Sequence, residues 1–211
     1  MSRATRARTA TRAQTRMLLE HRRELVAQIR GELGVSDRPA GKASLLVLMG
    51  YPGVGKTHCA RLLAARLGAA HIATDDLRSR LFVAPSYADE ENRAVFGIAE
   101  ALVDELLAEG HRVILDATNL IARNRAPAER VALARGAAVT YVLVTADEAS
   151  TRMRLGERAR ERGTGDHSDA DLGVYERMRS RGFEPPAAGY VELRNGEDLG
   201  EAIERVARLV E

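Results

Sequence analysis

Lys56 stands between Gly55 and Thr57 in the stretch GYPGVGKT, residues 50–57. The chain holds thirty arginines and two lysines. A lysine at this point indicates a demand for a compact ammonium, which a planar guanidinium does not replace. The spacing Gly50-x-x-x-x-Gly55-Lys56-Thr57 is that of a phosphate-binding loop. Glycines let such a backbone wrap around phosphate oxygens with its N–H groups pointing inward. The helix that follows offers unsatisfied N–H groups and a partial positive charge. Lys56 can follow the β- and γ-phosphates, and the Thr57 hydroxyl can serve Mg²⁺. The candidate ATP-binding residues are therefore Gly50, Gly53, Val54, Gly55, Lys56, Thr57 and His58.

Three further segments can act on a bound triphosphate. In TDDLR, residues 74–78, Asp75 can take a proton from an attacking hydroxyl, and Arg78 can grip an acidic acceptor. The same residues also suit a helix start, with Thr74 as cap and acids in the first turn. In VILDATN, residues 113–119, an apolar strand ends in Asp116. That carboxylate can orient Mg²⁺ through Thr57 or a water, or it can cap the next element. Thr118 and Asn119 extend beyond it. Residues 150–163 contain five arginines. Arg154 and Arg158, with Arg160, can close over the phosphates as a lid and steady the transferring group. A solvated helix face is the alternative, because Glu157 and Glu161 are interleaved. Arg194 and Asn195 follow the last strand, where they can flank an adenine.

The elements that must carry these groups alternate. Strands are predicted at Ser44–Met49, Ala70–Ala73, Arg112–Asp116, Val139–Val144 and Tyr190–Leu193. Helices are predicted at Lys56–Leu67, Asp75–Phe82, Glu90–Glu109, Arg123–Arg135, Asp147–Arg160, from about Asp169 to Arg181, and Asp198–Val210. Glu161–Ser168 reads as a polar loop. Short apolar strands alternating with helices imply an α/β fold, here a five-stranded parallel sheet with helices on both faces. Residues 44–211 form this unit, with the lid at about 150–170. Residues 1–43 form a basic arm, a helix over Thr15–Leu33 and a linker.

These motifs together resemble the small kinases of the polynucleotide 5′-kinase and zeta-toxin type, within the nucleoside-monophosphate-kinase-like fold. The resemblance covers Ser44 to the C-terminus. It implies Asp75 as general base and Arg78 as a contact to the acceptor phosphate. DATN looks like the family's D-x-T-N motif, with Arg125 near the position of a following arginine, so that Asn119 and Arg125 join Arg78 in holding the acceptor. RLGER resembles the lid motif, which makes Arg154 and Arg158 the lid pair. The implied cofactors are ATP and Mg²⁺, with Thr57 and Asp116 supporting the metal. The acceptor is a hydroxyl, with a polynucleotide 5′-hydroxyl as first choice and a nucleotide sugar or antibiotic as the alternative. A nucleotide-dependent ATPase or binding module is a further alternative.

Composition narrows the class. Apolar residues make up 45% and charged residues 29% of the 211, as in ordinary globular chains. No apolar run approaches the roughly 20 residues of a membrane span, and no apolar leader opens the sequence. The expected compartment is the cytoplasm. Cys59 is the only cysteine, so no disulfide forms within the chain and no cysteine zinc cluster is possible. Residues 1–30 carry +6 and the remainder −4. Such an arm is a solvated extension, a contact to a polyanion, or a transit-like segment. Its helix is also a candidate dock for a protein partner.

Overall fold

β1 (Ser44–Met49) is buried along its whole length, because it takes partners on both edges and helices on both faces. It pairs in parallel with β3 (Arg112–Asp116) and β4 (Ala138–Thr145). β2 (Ala70–Ala73) extends the sheet beyond β3, and β5 (Val191–Arg194) extends it beyond β4. The five parallel strands run in the order β2-β3-β1-β4-β5. The computed structural model describes residues 14–18, 20–35, 39, 41–83, 85–160 and 172–211, without the side chains of 158–160. The predicted polar loop Glu161–Ser168 and the first residues of the arm lie outside the described residues.

The strand period of two separates two cores. Leu45, Val47 and Met49 face one side, and Leu46 and Leu48 face the other. On the second face lie α2 (Lys56–Leu67), through Leu63 and Leu67, and α8 (Leu199–Arg208), through Ile203 and Val206. The first face is covered mainly by α4 (Asp89–Ala108), whose Ile98, Leu102 and Leu106 are fully buried. Full burial of each such side chain contributes about 1.5–3 kcal/mol. α3 (Thr74–Leu81), α5 (Ala122–Ala134), α6 (Glu148–Arg160) and α7 (Leu172–Arg181) complete the domain. β1, β2, β3 and α2 have the predicted limits, and the other elements of the domain shift by a few residues at most.

The N-terminal helix departs from expectation in two ways. Residues 14–18 are helical, but a turn at His21 separates them from α1 (Arg22–Glu32). Its apolar side is spent on the chain's own core: Leu18, Val26 and Ile29 join the cluster under α4. Its exposed positions are mainly charged, with Met17, 53% exposed, as the large apolar exception. Gln14 Nε2 donates to the Leu81 carbonyl at 2.8 Å, and Arg80 links Glu32 to Asp76. Among the described residues no helix is long and apolar enough to cross a membrane.

The packing of Ile29, 4% exposed, yields a test. Ile29→Ala is expected to lower the unfolding free energy by about 2–4 kcal/mol, measured by urea titration. A loss below about 0.5 kcal/mol, as for an exposed site, would show that the helix is not part of the core.

Candidate active site

The loop after β1 takes its shape from three glycines in the left-handed region, at φ 152° for Gly50, 81° for Gly53 and 89° for Gly55. Space reinforces the demand. A Cβ on Gly50 would lie 2.6 Å from the Val144 carbonyl oxygen, and one on Gly53 would lie 2.7 Å from Leu155 Cγ. At Gly55 the space is taken by Asn195, whose Nδ2 donates to the Val54 carbonyl at 2.9 Å. Lys56 folds back over the loop and donates from Nζ to the Tyr51 carbonyl at 3.0 Å. From the other side, Arg154 Nη1 reaches the Gly53 carbonyl at 3.4 Å. The loop is thus held open by its own backbone and braced by α6 and the turn after β5.

Asp116 ends β3 beside this loop and is 4% exposed. His71 Nε2 lies 3.2 Å from Asp116 Oδ2. Burial pushes the carboxyl up. The hydrogen bond from His71, the Lys56 ammonium and the Thr57 hydroxyl outweigh that and hold it below the ordinary carboxylate range. An ionised carboxylate joined to the Thr57 hydroxyl is a donor set that suits Mg²⁺. Among the described residues no cluster of three His, Cys, Asp or Glu side chains can hold a metal alone, so phosphate oxygens would complete the set. Cys59 is buried, and burial, then the charge of Asp116, pushes its thiol up to about 11. It behaves as a small apolar group.

A cleft of about 1630 Å³ opens at the carboxyl ends of the strands. A single small-molecule pocket holds about 300–1,000 Å³, so the cleft has room for two substrates. Lys56, Thr57, His58, Asp75 and Asp116 all line it. Asp75 sits in the first turn of α3, half-buried. Thr74 does not cap that helix. Ala73 precedes the first helical residue, and the Thr74 hydroxyl donates to the Asp116 carbonyl at 3.4 Å.

Three expected acceptor contacts take other partners. Arg78 is 4% exposed. It forms a buried ion pair with Glu91 and donates to Asn92 Oδ1 at 2.8 Å. Asn119 is fully buried and donates to the Leu48 carbonyl at 2.9 Å. Arg125 donates to the carbonyls of Asn119 and Glu184, each at 2.8 Å. A buried guanidinium must be satisfied where it lies. Asn119 and Arg125 therefore brace the turn after β3 and do not line the cleft, whereas Arg78 braces the start of α4 and still lines the cleft wall. Arg194 is exposed at the end of β5 and does not line the cleft. The Arg158 side chain is outside the described residues.

Two polar side chains that support the cleft carry little or no signal in the sequence. His71 carried a faint signal, as a polar residue between the buried Ala70 and Ile72. Glu91 carried none. It is 0% exposed and accepts from Arg78, from Ser86 N and Oγ, and from Tyr87 N.

A family model described as an AAA domain matches residues 45–186. Comparison with curated proteins returns no match. Kti12 of Chaetomium thermophilum, solved with ADP-AlF3, superposes with a TM-score of 0.63 at 22% identity, covering 79% of this chain and 99% of that one. A putative kinase from Chloroflexus aurantiacus gives 0.62 at 19% identity, covering 81% and 99%. The APS kinase CysC of Mycobacterium tuberculosis, with AMPPNP and APS, gives 0.55 at 22% identity, covering 82% and 98%. At these identities the likeness is one of fold: a P-loop, kinase-like nucleotide-binding fold.

The Arg78–Glu91 pair carries a measurable pH signature. Burial pushes the Glu91 carboxyl up, but hydrogen bonds from Ser86, Arg78 and Tyr87 hold it below its ordinary range. Its stabilisation is present above the unfolded value of about 4.3 and is lost as pH falls through the lower folded value. Glu91→Gln, which leaves Arg78 buried and uncompensated, is expected to cost about 3–5 kcal/mol at pH 7. Urea titrations should show that gap narrowing as the pH falls below about 4. A gap that stays constant with pH would contradict the pairing.

Proposed function

Because the chain belongs to the AAA-domain family, we propose that it is an ATP-dependent kinase that transfers the γ-phosphate of ATP to a hydroxyl acceptor in the cytoplasm. The observation that carries this reading is Asp75, a half-buried carboxylate in the wall of the same cleft as Lys56 and Thr57. A binding module needs the loop alone. A kinase also needs a base facing it, and space for a second substrate.

In this reading the loop amides and Lys56 hold the β- and γ-phosphates. Mg²⁺, held by Thr57 and Asp116, would neutralise phosphate charge when bound. Asp75 accepts the proton of the attacking hydroxyl. Arg154, beside the loop, offsets charge on the transferring group, with Arg158 as its lid partner. Residues 44–211 form the kinase unit, with about 150–170 as lid. The acceptor is a polynucleotide 5′-hydroxyl. In support, Arg61, Arg123, Arg177 and Arg181 line the cleft, a cationic surface suited to a phosphate backbone. A small anionic hydroxyl compound is the second reading, since the same arginines suit it and a fold neighbour is an APS kinase.

The test is transfer of labelled γ-phosphate to a panel of 5′-hydroxyl DNA, 5′-hydroxyl RNA, nucleotide sugars and antibiotics. Label is expected in a 5′-hydroxyl strand. Asp75→Ala is expected to lower transfer by about 10²–10⁴-fold, with ATP binding retained. Hydrolysis with no labelled acceptor, indifferent to Asp75→Ala, would point to a nucleotide-dependent switch instead.

A further inference from the structure

We propose that Tyr87 is a stacking platform in the acceptor half of the cleft, so that the acceptor carries a planar ring next to its reacting hydroxyl, as a nucleoside or the terminal nucleotide of a strand does. This rests on the kinase reading and states what its second substrate must present.

The backbone at Tyr87 is strained. Tyr87 holds φ 55°, in the left-handed region. Bulky residues rarely occupy it, and they do so where the surroundings leave no choice, most often at functional sites. Here the surroundings are explicit. Glu91 accepts from Ser86 N at 2.7 Å, from Ser86 Oγ at 2.8 Å and from Tyr87 N at 3.2 Å. Asn92 Nδ2 donates to the Tyr87 carbonyl at 3.1 Å. The first turn of α4 therefore grips Tyr87 on both its N–H and its C=O. Glycine or asparagine would adopt the same turn with little strain, so the turn alone does not account for a tyrosine.

The ring does. The Arg78 guanidinium carbon lies 4.4 Å from its centroid. That guanidinium is fixed in turn by Glu91 and Asn92. A held cation under one face sets the plane of the ring. Tyr87 as a residue is 39% exposed, and it lines the cleft together with Asp75, Pro85 and Phe96. In a chain with 4% aromatic residues, this places an oriented π-surface in the same cleft as the candidate base. Stacking on such a surface recognises any base by its face, without reading its edge.

The competing role is a shield that keeps water from the Arg78–Glu91 pair. A shield needs bulk, whereas a platform needs a π-face, and the two separate cleanly. The chain contains no tryptophan, so Tyr87→Trp installs a single reporter at the site. This full-length variant is titrated with a 5′-hydroxyl dinucleotide, with a free nucleoside, and with the dinucleotide made abasic at its 5′ residue. Saturable quenching by a base-bearing compound and none by the abasic one is the expected result. Comparison of the nucleoside with the dinucleotide separates a small acceptor from a strand end. Equal responses to all three, or no quenching by any, would overturn the platform. In parallel, kcat/KM for the wild type and Tyr87→Phe is expected to favour the base-bearing acceptor about tenfold. Tyr87→Leu should lose that preference with the KM for ATP unchanged. Retention of the preference in Tyr87→Leu would leave the shield alone. Quenching without phosphate transfer would sustain the platform and remove the kinase reading. Transfer to base-bearing and abasic strands alike would do the reverse.

Discussion

A backbone that must offer its N–H groups to an anion has no room for side chains, and the cleft depends on that constraint. At Gly50, Gly53 and Gly55 the space a side chain would fill is held by the Val144 carbonyl, Leu155 and Asn195. Each of these comes from a different part of the chain. The loop is therefore the meeting point of β4, α6 and the turn after β5. A substitution at any of the three glycines would push on an element far away in sequence.

Charge is placed around that loop with similar economy. Lys56 is kept by the Tyr51 carbonyl, and Asp116 stays ionised through His71, Lys56 and Thr57. In contrast, the charge at Arg78 is closed off. Its partner Glu91 also fixes Ser86 and Tyr87. One buried carboxylate thus ties α3, which carries Asp75, to α4 and to the segment between them. Truncating one member of such a pair strands the other in a poorly solvated site. The pair therefore constrains the position of α3 more than it contributes net stability.

The sheet was legible in the sequence because its signals are local. LLVLM is apolar throughout and stops at a glycine, and RVIL stops at an aspartate. Burial on both faces removes the alternation that would otherwise mark a strand, and leaves the apolar run. The loop and the carboxylates Asp75 and Asp116 could be named for the same reason, since strand ends face the crevice in this architecture. What could not be read is who pairs with whom. Arg78 and Glu91 are separated by thirteen positions, across a segment whose path depends on tertiary packing. Asn119 and Arg125 carry polar groups that suit an acceptor equally well, and only the fold shows them bonded to backbone carbonyls. The break at His21 was hidden too, because an apolar period continues across it.

The central claim is that the loop after β1 recognises the phosphate tail of a nucleotide, beyond its first phosphate. Thermal midpoints in the presence of Mg²⁺ and saturating AMP, ADP or ATP test it most directly. A ligand at about 100 times its dissociation constant contributes about 2.7 kcal/mol, which for a chain of this size is a rise of about 5–10 °C. The account predicts such a rise with ADP and ATP, little with AMP, and loss of the difference in Lys56→Met. Equal shifts with all three nucleotides, or none with ATP, would contradict it.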